Sequence, residues 1–284
     1  MRRYQSPAMW LPRSTLLLVL CVAPAWSACA SEQTRPQTAA EYEASAKAAY
    51  QEALEAYLER DWELARELMD AVMRNYGYSR YARLAQLRLA DIQFHQDSFV
   101  EAAGDYNSFV RDFPNDPEVR YARYRTAQAE FAQSSEGLLM PPLEERELDN
   151  VHDAYASLKS FSADYPDDEH GVQVRYMLRV VAGLLARHEL YVARYYLKMD
   201  EFEAAAARCQ YALDNYPSSG LEAEALVLLG ETFMKMKKRD EARALFEKVI
   251  AQHSDSAFVI PARNFLQLIT PQAGAPTASS TVTN

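Results

Sequence analysis

Glycine, cysteine and long apolar runs are scarce in this chain, and each scarcity removes a class of function. Only eight glycines occur in 284 residues, and they build no Gly-rich turn of the kind that cradles a nucleotide phosphate. Three cysteines, Cys21, Cys29 and Cys209, include no Cys-x-x-Cys pair, so neither a zinc knuckle nor a dithiol redox site is on offer. The histidines are scattered singly. His188-Glu189 opens like a zinc-protease helix, but Val192 stands where the second metal ligand is required. No nucleophile elbow is present, so neither an enzymatic activity nor a cofactor or metal is expected. Basic charge is in deficit, with 30 Lys and Arg against 40 Asp and Glu and a net charge of −10. That balance argues against nucleic acid as a partner, because phosphate contacts need clustered cations. Strictly alternating apolar segments are missing too, which removes a β-sheet class.

What the chain does have is a recurring cadence. Small residues at Ala53, Ala90, Ala127, Ala193 and Gly230 are followed by a second small set at Ala65, Ala102, Ala154, Ala205 and Ala242. Seven positions beyond the second set stand Val72, Phe109, Phe161, Ala212 and Val249, and five later come the breakers Gly77, Pro114, Pro166, Pro217 and Ser254. Small side chains let two helices approach closely, and proline, lacking an N–H, closes the second helix. These marks resemble the tetratricopeptide family, whose repeat is about 34 residues of helix, turn and helix; the step here is 37. The cadence predicts an all-α, right-handed solenoid of five tetratricopeptide-like helix pairs over residues 41–270.

Two departures from the step carry information. The third repeat has 27 residues between its small marks where the others have 12, which predicts an excursion loop near Ser134 to Asn150. From Pro166 to Ala193 there are 27 residues where 13 separate Pro114 from Ala127. The surplus of 14 is close to four turns at about 3.6 residues per turn, so a helix can lengthen and keep its face. One long helix from Gly171 to Leu197 is expected.

The N-terminus carries Arg2, Arg3 and Arg13, then the apolar run Leu16 to Ala25, then Trp26, Ser27, Ala28 and Cys29. That is the order of an export signal over residues 1–28, with Met1 or Met9 as its start. Ser27-Ala28-Cys29 resembles a bacterial lipobox, which implies that Cys29 is lipidated and that residues 29–40 form a tether, and Ser31 resembles the sorting residue of lipoproteins sent to the outer membrane. Residues 271–284, rich in Pro, Ser and Thr, are expected to be a disordered tail. Cys209 lies on the core face of its helix, as a small buried hydrophobe would.

In stacked pairs the first helices line the concave face. Tyr50, Leu54 and Tyr57, then Leu87, Asp91 and Phe94, then Tyr121, Tyr124, Gln128 and Phe131 are the inward positions of the first three repeats. Either they bind an extended aromatic-bearing segment or they form inter-repeat core. The matching positions of repeats four and five, among them Arg194, Lys198, Glu231 and Lys235, are more charged. Arg80, Arg83, Arg88, Arg120, Arg123 and Arg125 concentrate on the first helices of repeats two and three, against the acidic trend, and some of them are expected only to pair with neighbouring acids on exposed faces.

The stretch from Leu185-Ala186-Arg187-His188-Glu189-Leu190 through Ala193-Arg194-Tyr195-Tyr196 and Phe202-Glu203-Ala204-Ala205 to Arg208 and Tyr216-Pro217 resembles the BamD family of outer-membrane assembly lipoproteins. Asp112-Phe113-Pro114 and Asp164-Tyr165-Pro166 fit the breaker positions of that family, and the likeness covers about residues 41–268. It implies a periplasmic, lipid-anchored scaffold at the outer membrane. The implied partners are BamA-like POTRA domains on the C-terminal repeats, unfolded outer-membrane β-barrel proteins on the N-terminal repeats, and other assembly-machine lipoproteins. Substrate contacts then fall to Tyr50, Leu54, Tyr57, Phe94, Tyr121, Tyr124 and Phe131, and partner contacts to Arg194, Tyr195, Tyr196, Lys198 and Arg208. For Arg208, an intramolecular pair with Glu201 or Glu203 is the competing expectation. Another periplasmic repeat adaptor lipoprotein is the alternative function.

Overall fold

Eleven α-helices and no strand make up the described residues, 38–134 and 148–269, of the computed structural model. The expectations for Cys29, the export signal, the tether, the tail and the body of the excursion loop lie outside those residues. The helices form five antiparallel pairs: α1 (Ala39–Leu58) with α2 (Trp62–Asn75), α3 (Arg80–His95) with α4 (Phe99–Asp112), α5 (Val119–Gln133) with α6 (Asp149–Asp164), α7 (Gly171–Lys198) with α8 (Phe202–Asn215), and α9 (Glu222–Lys235) with α10 (Arg239–Gln252). Every helix packs on the next in chain order, which is the connectivity of a tetratricopeptide solenoid. An eleventh helix, α11 (Val259–Ile269), which the cadence does not announce, packs on α10 and α9. The long helix is present and runs one residue past the expected Leu197.

The connections repeat as faithfully as the helices. In pairs one, two, four and five the first helix ends on a residue with positive φ: Arg60, Asp97, Asp200 and Lys237, at 59–63°. The N–H of the following residue reaches back to a carbonyl in the last turn, as from Asp61 to Ala56 at 3.0 Å and from Lys238 to Phe233 at 2.8 Å. This is the Schellman closure, which satisfies carbonyls that the helix end would otherwise leave bare. Each second helix stops at a residue just before the breaker: Tyr76, Phe113, Tyr165, Tyr216 and His253. Its N–H donates to the carbonyl of Val72, Phe109, Phe161, Ala212 or Val249 respectively.

Two residues after each breaker stands a serine or aspartate, a mark that went unread in the sequence. Ser79, Asp116, Asp168, Ser219 and Ser256 each accept a backbone N–H two or three positions on, turning the chain into the next helix. Two of them also clasp adjacent repeats. Arg83 Nε lies 2.8 Å from Asp116 and Arg120 Nε 3.4 Å from Asp168, at equivalent repeat positions. Arg123, by contrast, meets exposed Asp164 within its own repeat at 2.7 Å, and the two arginines around Asp91, Arg88 and Arg125, are half-buried.

Both small-residue rows are buried at the crossings within each pair. Four positions beyond the second small mark, Met69, Tyr106, Leu158, Cys209 and Phe246 are fully buried. Gly230 shows how tight the approach is, because a Cβ there would stand 2.6 Å from Phe246 Cε1. Cys209 is likewise sealed in, and burial pushes its thiol up to about 12. An alanine in a helix is ordinarily worth about 1 kcal/mol over glycine; at this crossing the overlap reverses the sign. Gly230→Ala is expected to destabilise the fold by about 1–3 kcal/mol in urea unfolding, and Phe246→Leu to recover most of that loss in the double variant.

Candidate binding surfaces

In the first three pairs the inward face is organised by one carboxylate. Asp91, on α3, has no solvent exposure, and it accepts hydrogen bonds from Tyr106 Oη at 2.5 Å and Tyr121 Oη at 2.7 Å. Arg88 Nη1 stands 2.7 Å from its other oxygen, and Arg125 Nε is 3.3 Å away. One buried anion thus links α3, α4 and α5, and its partners supply both charge and donors, as a charge inside apolar packing requires. The guanidiniums in turn sit against rings: Arg125 lies 4.0 Å from the centroid of Phe94, and Arg88 lies 5.1 Å from Tyr121 and 5.9 Å from Tyr57.

Tyr57, Phe94 and Tyr121 are therefore brought together, each half-buried. Leu54 and Phe131 are also half-buried, Leu54 packed against the core around Tyr50, Met69 and Val72 and Phe131 against the core shared by α5, α6 and α7. Tyr50 and Tyr124 are core: 9% and 5% exposed, with Tyr50 against Tyr81 and Tyr124 stacked on His170 at 3.9 Å while donating to Gln173. Their rings stand between repeats, where a second amphipathic stripe on each first helix has to be filled. Three aromatic residues went unnoticed in the sequence. Trp62 stacks on His95 at 5.3 Å, His95 meets Tyr57 and Phe94, and Phe99 meets Phe94 at 5.2 Å, so the rings continue across the α1–α2 and α3–α4 turns. Their signal was positional, since Trp62 and Phe99 both stand three residues before a second small mark.

The last turns of α7 and the start of α8 carry a different surface. Arg194 pairs with Glu224 of α9, and Arg208 Nη1 donates to Glu189 Oε2 at 3.1 Å. The partner of Arg208 is thus on the preceding helix, and neither Glu201 nor Glu203 is engaged. Glu189 is buried, while the side chains of Arg208 and Arg194 remain 44% and 43% exposed. Arginine carries five N–H donors, so each keeps an open edge. Around them Tyr195 is 54% exposed, Tyr196 is half-buried against it, and Lys198 is exposed.

Replacing Asp91 with Asn leaves two arginines without their counter-charge, and a loss of about 3 kcal/mol is expected in urea unfolding. Burial, followed by the charge of Asp91, raises the pKa of both Tyr106 and Tyr121. In the folded chain they therefore hold their protons beyond the ordinary tyrosine value of about 10. The unfolded chain loses those protons first, so this contribution is full below pH of about 10 and declines above it. Urea midpoints at pH of about 8 and about 10.5 should show that decline, and Tyr106→Phe with Tyr121→Phe should flatten it.

Comparison with known proteins sets these surfaces in a family. The model of the family described as YfiO, outer membrane lipoprotein, matches residues 42–249. The outer membrane protein assembly factor BamD of Caulobacter vibrioides is 25% identical over 232 residues, covering 82% of this chain and 73% of that one. BamD of Neisseria meningitidis serogroup A is 25% identical over 227 residues, 78% of this chain and 85% of that one, and BamD of Xylella fastidiosa strain 9a5c is 23% identical over 199 residues, 68% of each. Among solved structures, the TPR2AB domain of yeast Sti1 in complex with pHSP90 matches 80% of this chain and 83% of that one at 12% identity and a TM-score of 0.41, too low for any residue to be carried across. A family match that spans well over half of the sequence, on a solenoid whose breakers, long helix and Glu189–Arg208 pair have now been described, shows that the chain belongs to the YfiO outer membrane lipoprotein family, that of the BamD assembly factors.

Proposed function

We propose that this chain is a non-catalytic scaffold of outer-membrane protein assembly, held at the periplasmic face by a lipid on Cys29. Its C-terminal pairs hold a POTRA domain of a BamA-like barrel-forming subunit and join other assembly-machine lipoproteins. Its N-terminal pairs take unfolded β-barrel substrates against Leu54, Tyr57, Phe94, Tyr121 and Phe131, with Trp62, His95 and Phe99 extending that surface. The observation that carries the partner assignment is the half-exposed state of Arg194 and Arg208. Each is braced by an acid of its own chain, which fixes the guanidinium, and each keeps donors free for a second carboxylate. Tyr195, Tyr196 and Lys198 flank them with ring surface and a further cation, the composition from which binding hot spots are drawn. The name shared by the relatives, outer membrane protein assembly factor, supplies the process. No helix among the described residues is long and apolar enough to cross a membrane, so in this reading attachment depends on the lipid.

Two experiments test it. Arg208→Ala, made in a Glu189→Gln background so that no buried charge is left unpaired, should lower affinity for a soluble POTRA fragment of the barrel subunit by about 30-fold relative to Glu189→Gln alone, equivalent to about 2 kcal/mol, with little further change in melting temperature. A lowered melting temperature with affinity intact would make Arg208 a brace for Glu189 alone. Separately, Cys29→Ser should move the protein from the outer-membrane fraction to the soluble periplasm, and unchanged fractionation would remove the anchor from the proposal.

A further inference from the structure

The lengthening of α7 has no part in the surfaces above, yet it builds one of its own. Its first half lies against α6 and projects past the end of α8, so that the turn after α8 closes a groove between them. The groove has a volume of about 410 Å³, with Tyr155 and Lys159 from α6, Arg175, Leu178 and Arg179 from α7, and Pro217 after α8 on its walls. Tyr155 is fixed by donating to the carbonyl of Asn215 at 2.7 Å, and Lys159 Nζ sits 5.5 Å from the centre of that ring. Arg175 and Arg179 are exposed, one helical turn apart, and neither has an acidic partner among the described residues. The one acid on the wall, Asp214, already accepts a hydrogen bond from Gln210 at 2.8 Å. Beside the arginines, Val172 and Tyr176 are 73% and 64% exposed on the same face of α7.

We propose that this groove docks a short acidic segment of a partner protein, with carboxylates meeting Arg175, Arg179 and Lys159 and an apolar or aromatic side chain lying over Tyr155, Leu178 and Pro217. The assignment does not rest on the assembly reading. Three cations distributed around an apolar floor suit a chain whose charges alternate with greasy groups, whereas a compact anion would leave the floor unused. Charge decides against an extended anionic surface. A membrane or a nucleic acid presents its charge to the whole molecule, which carries −10. A short peptide senses only the charges within a Debye length, about 8 Å at physiological salt, and the groove walls carry Lys159, Arg175 and Arg179 against Asp214 alone. Arginine's planar fork further favours carboxylates that can be held in two parallel bonds.

The test is selection from a random dodecapeptide library displayed on phage, panned against the detergent-solubilised full chain and, in parallel, against Arg175→Glu/Arg179→Glu. The expected result is enrichment, on the unaltered chain alone, of peptides in which Asp or Glu is spaced with aromatic or aliphatic residues. A recovered peptide should bind the variant at least about tenfold more weakly, and its Gln-for-Glu counterpart should lose affinity to a similar degree. Both arginines are exposed, so helical circular dichroism should be unchanged; if the paired Glu variant loses helicity, Arg175→Gln/Arg179→Gln gives the same comparison. Absence of acidic enrichment, or equal binding by the variant, overturns the proposal. So does displacement of the peptide by inorganic phosphate at millimolar concentration, which would mark a compact-anion site. Arginine-dependent sedimentation with phosphatidylglycerol vesicles, in the absence of any enriched peptide, would assign the groove to lipid instead.

Discussion

Everything else in this structure depends on how closely two helices can approach inside each pair. The small marks at Ala53, Ala90, Ala127, Ala193 and Gly230 leave room for a buried row of larger residues, Met69, Tyr106, Leu158, Cys209 and Phe246. At the last crossing, Gly230 leaves the room that the Phe246 ring fills. A helix pair held at that separation still has an apolar face left over, and only the next pair can cover it. The turns, the caps and the arginine clasps between repeats can recur because the spacing recurs.

The Asp91 cluster is the exception to this apolar regularity. A buried carboxylate shared by two arginines and two tyrosines is weak support for stability compared with well-packed hydrocarbon of the same volume. What it does impose is geometry, since each partner must stand in one place for the anion to be satisfied. The aromatic rings of Tyr57, Phe94 and Tyr121 are thereby held in position before anything binds them. A surface whose rings are already immobilised gives up less side-chain freedom on docking an extended segment.

How much of this was legible follows from the range of the interactions. The crossings, the breakers and the length of α7 depend on spacing within one or two helices, and periodicity reveals them. The surplus between Pro166 and Ala193 could be read as helix because it keeps the face of α7 in phase. Asp91 could be seen as an inward position but not as a hub, because Tyr106, Tyr121 and Arg125 come from two later helices. Arg208 shows the same limit. Glu201 and Glu203 are its neighbours in sequence, yet they stand at the start of α8, while Glu189 is brought beneath it by the antiparallel turn of the pair. Tyr50 and Tyr57 occupy the same helix two turns apart, and their different burial depends on the neighbouring repeat, which local patterning does not encode.

The long helix also changes how the solenoid can come apart. A repeat array ordinarily divides at its turns, where one unit ends and the next begins, so that stretches at either end can melt alone. Here Val174 to Ala186 belong to the core shared with α5 and α6, whereas Leu190 and Ala193 belong to the core shared with α8 and α9, and all of them lie on one uninterrupted rod. Parting the third and fourth units at the α6–α7 turn would strip the first half of that rod from its core, and parting them any later would rupture its ladder of main-chain hydrogen bonds. The rod therefore acts as a splint across the middle of the array. Tension or disorder arriving from either end is passed through it, and the two halves are mechanically one object.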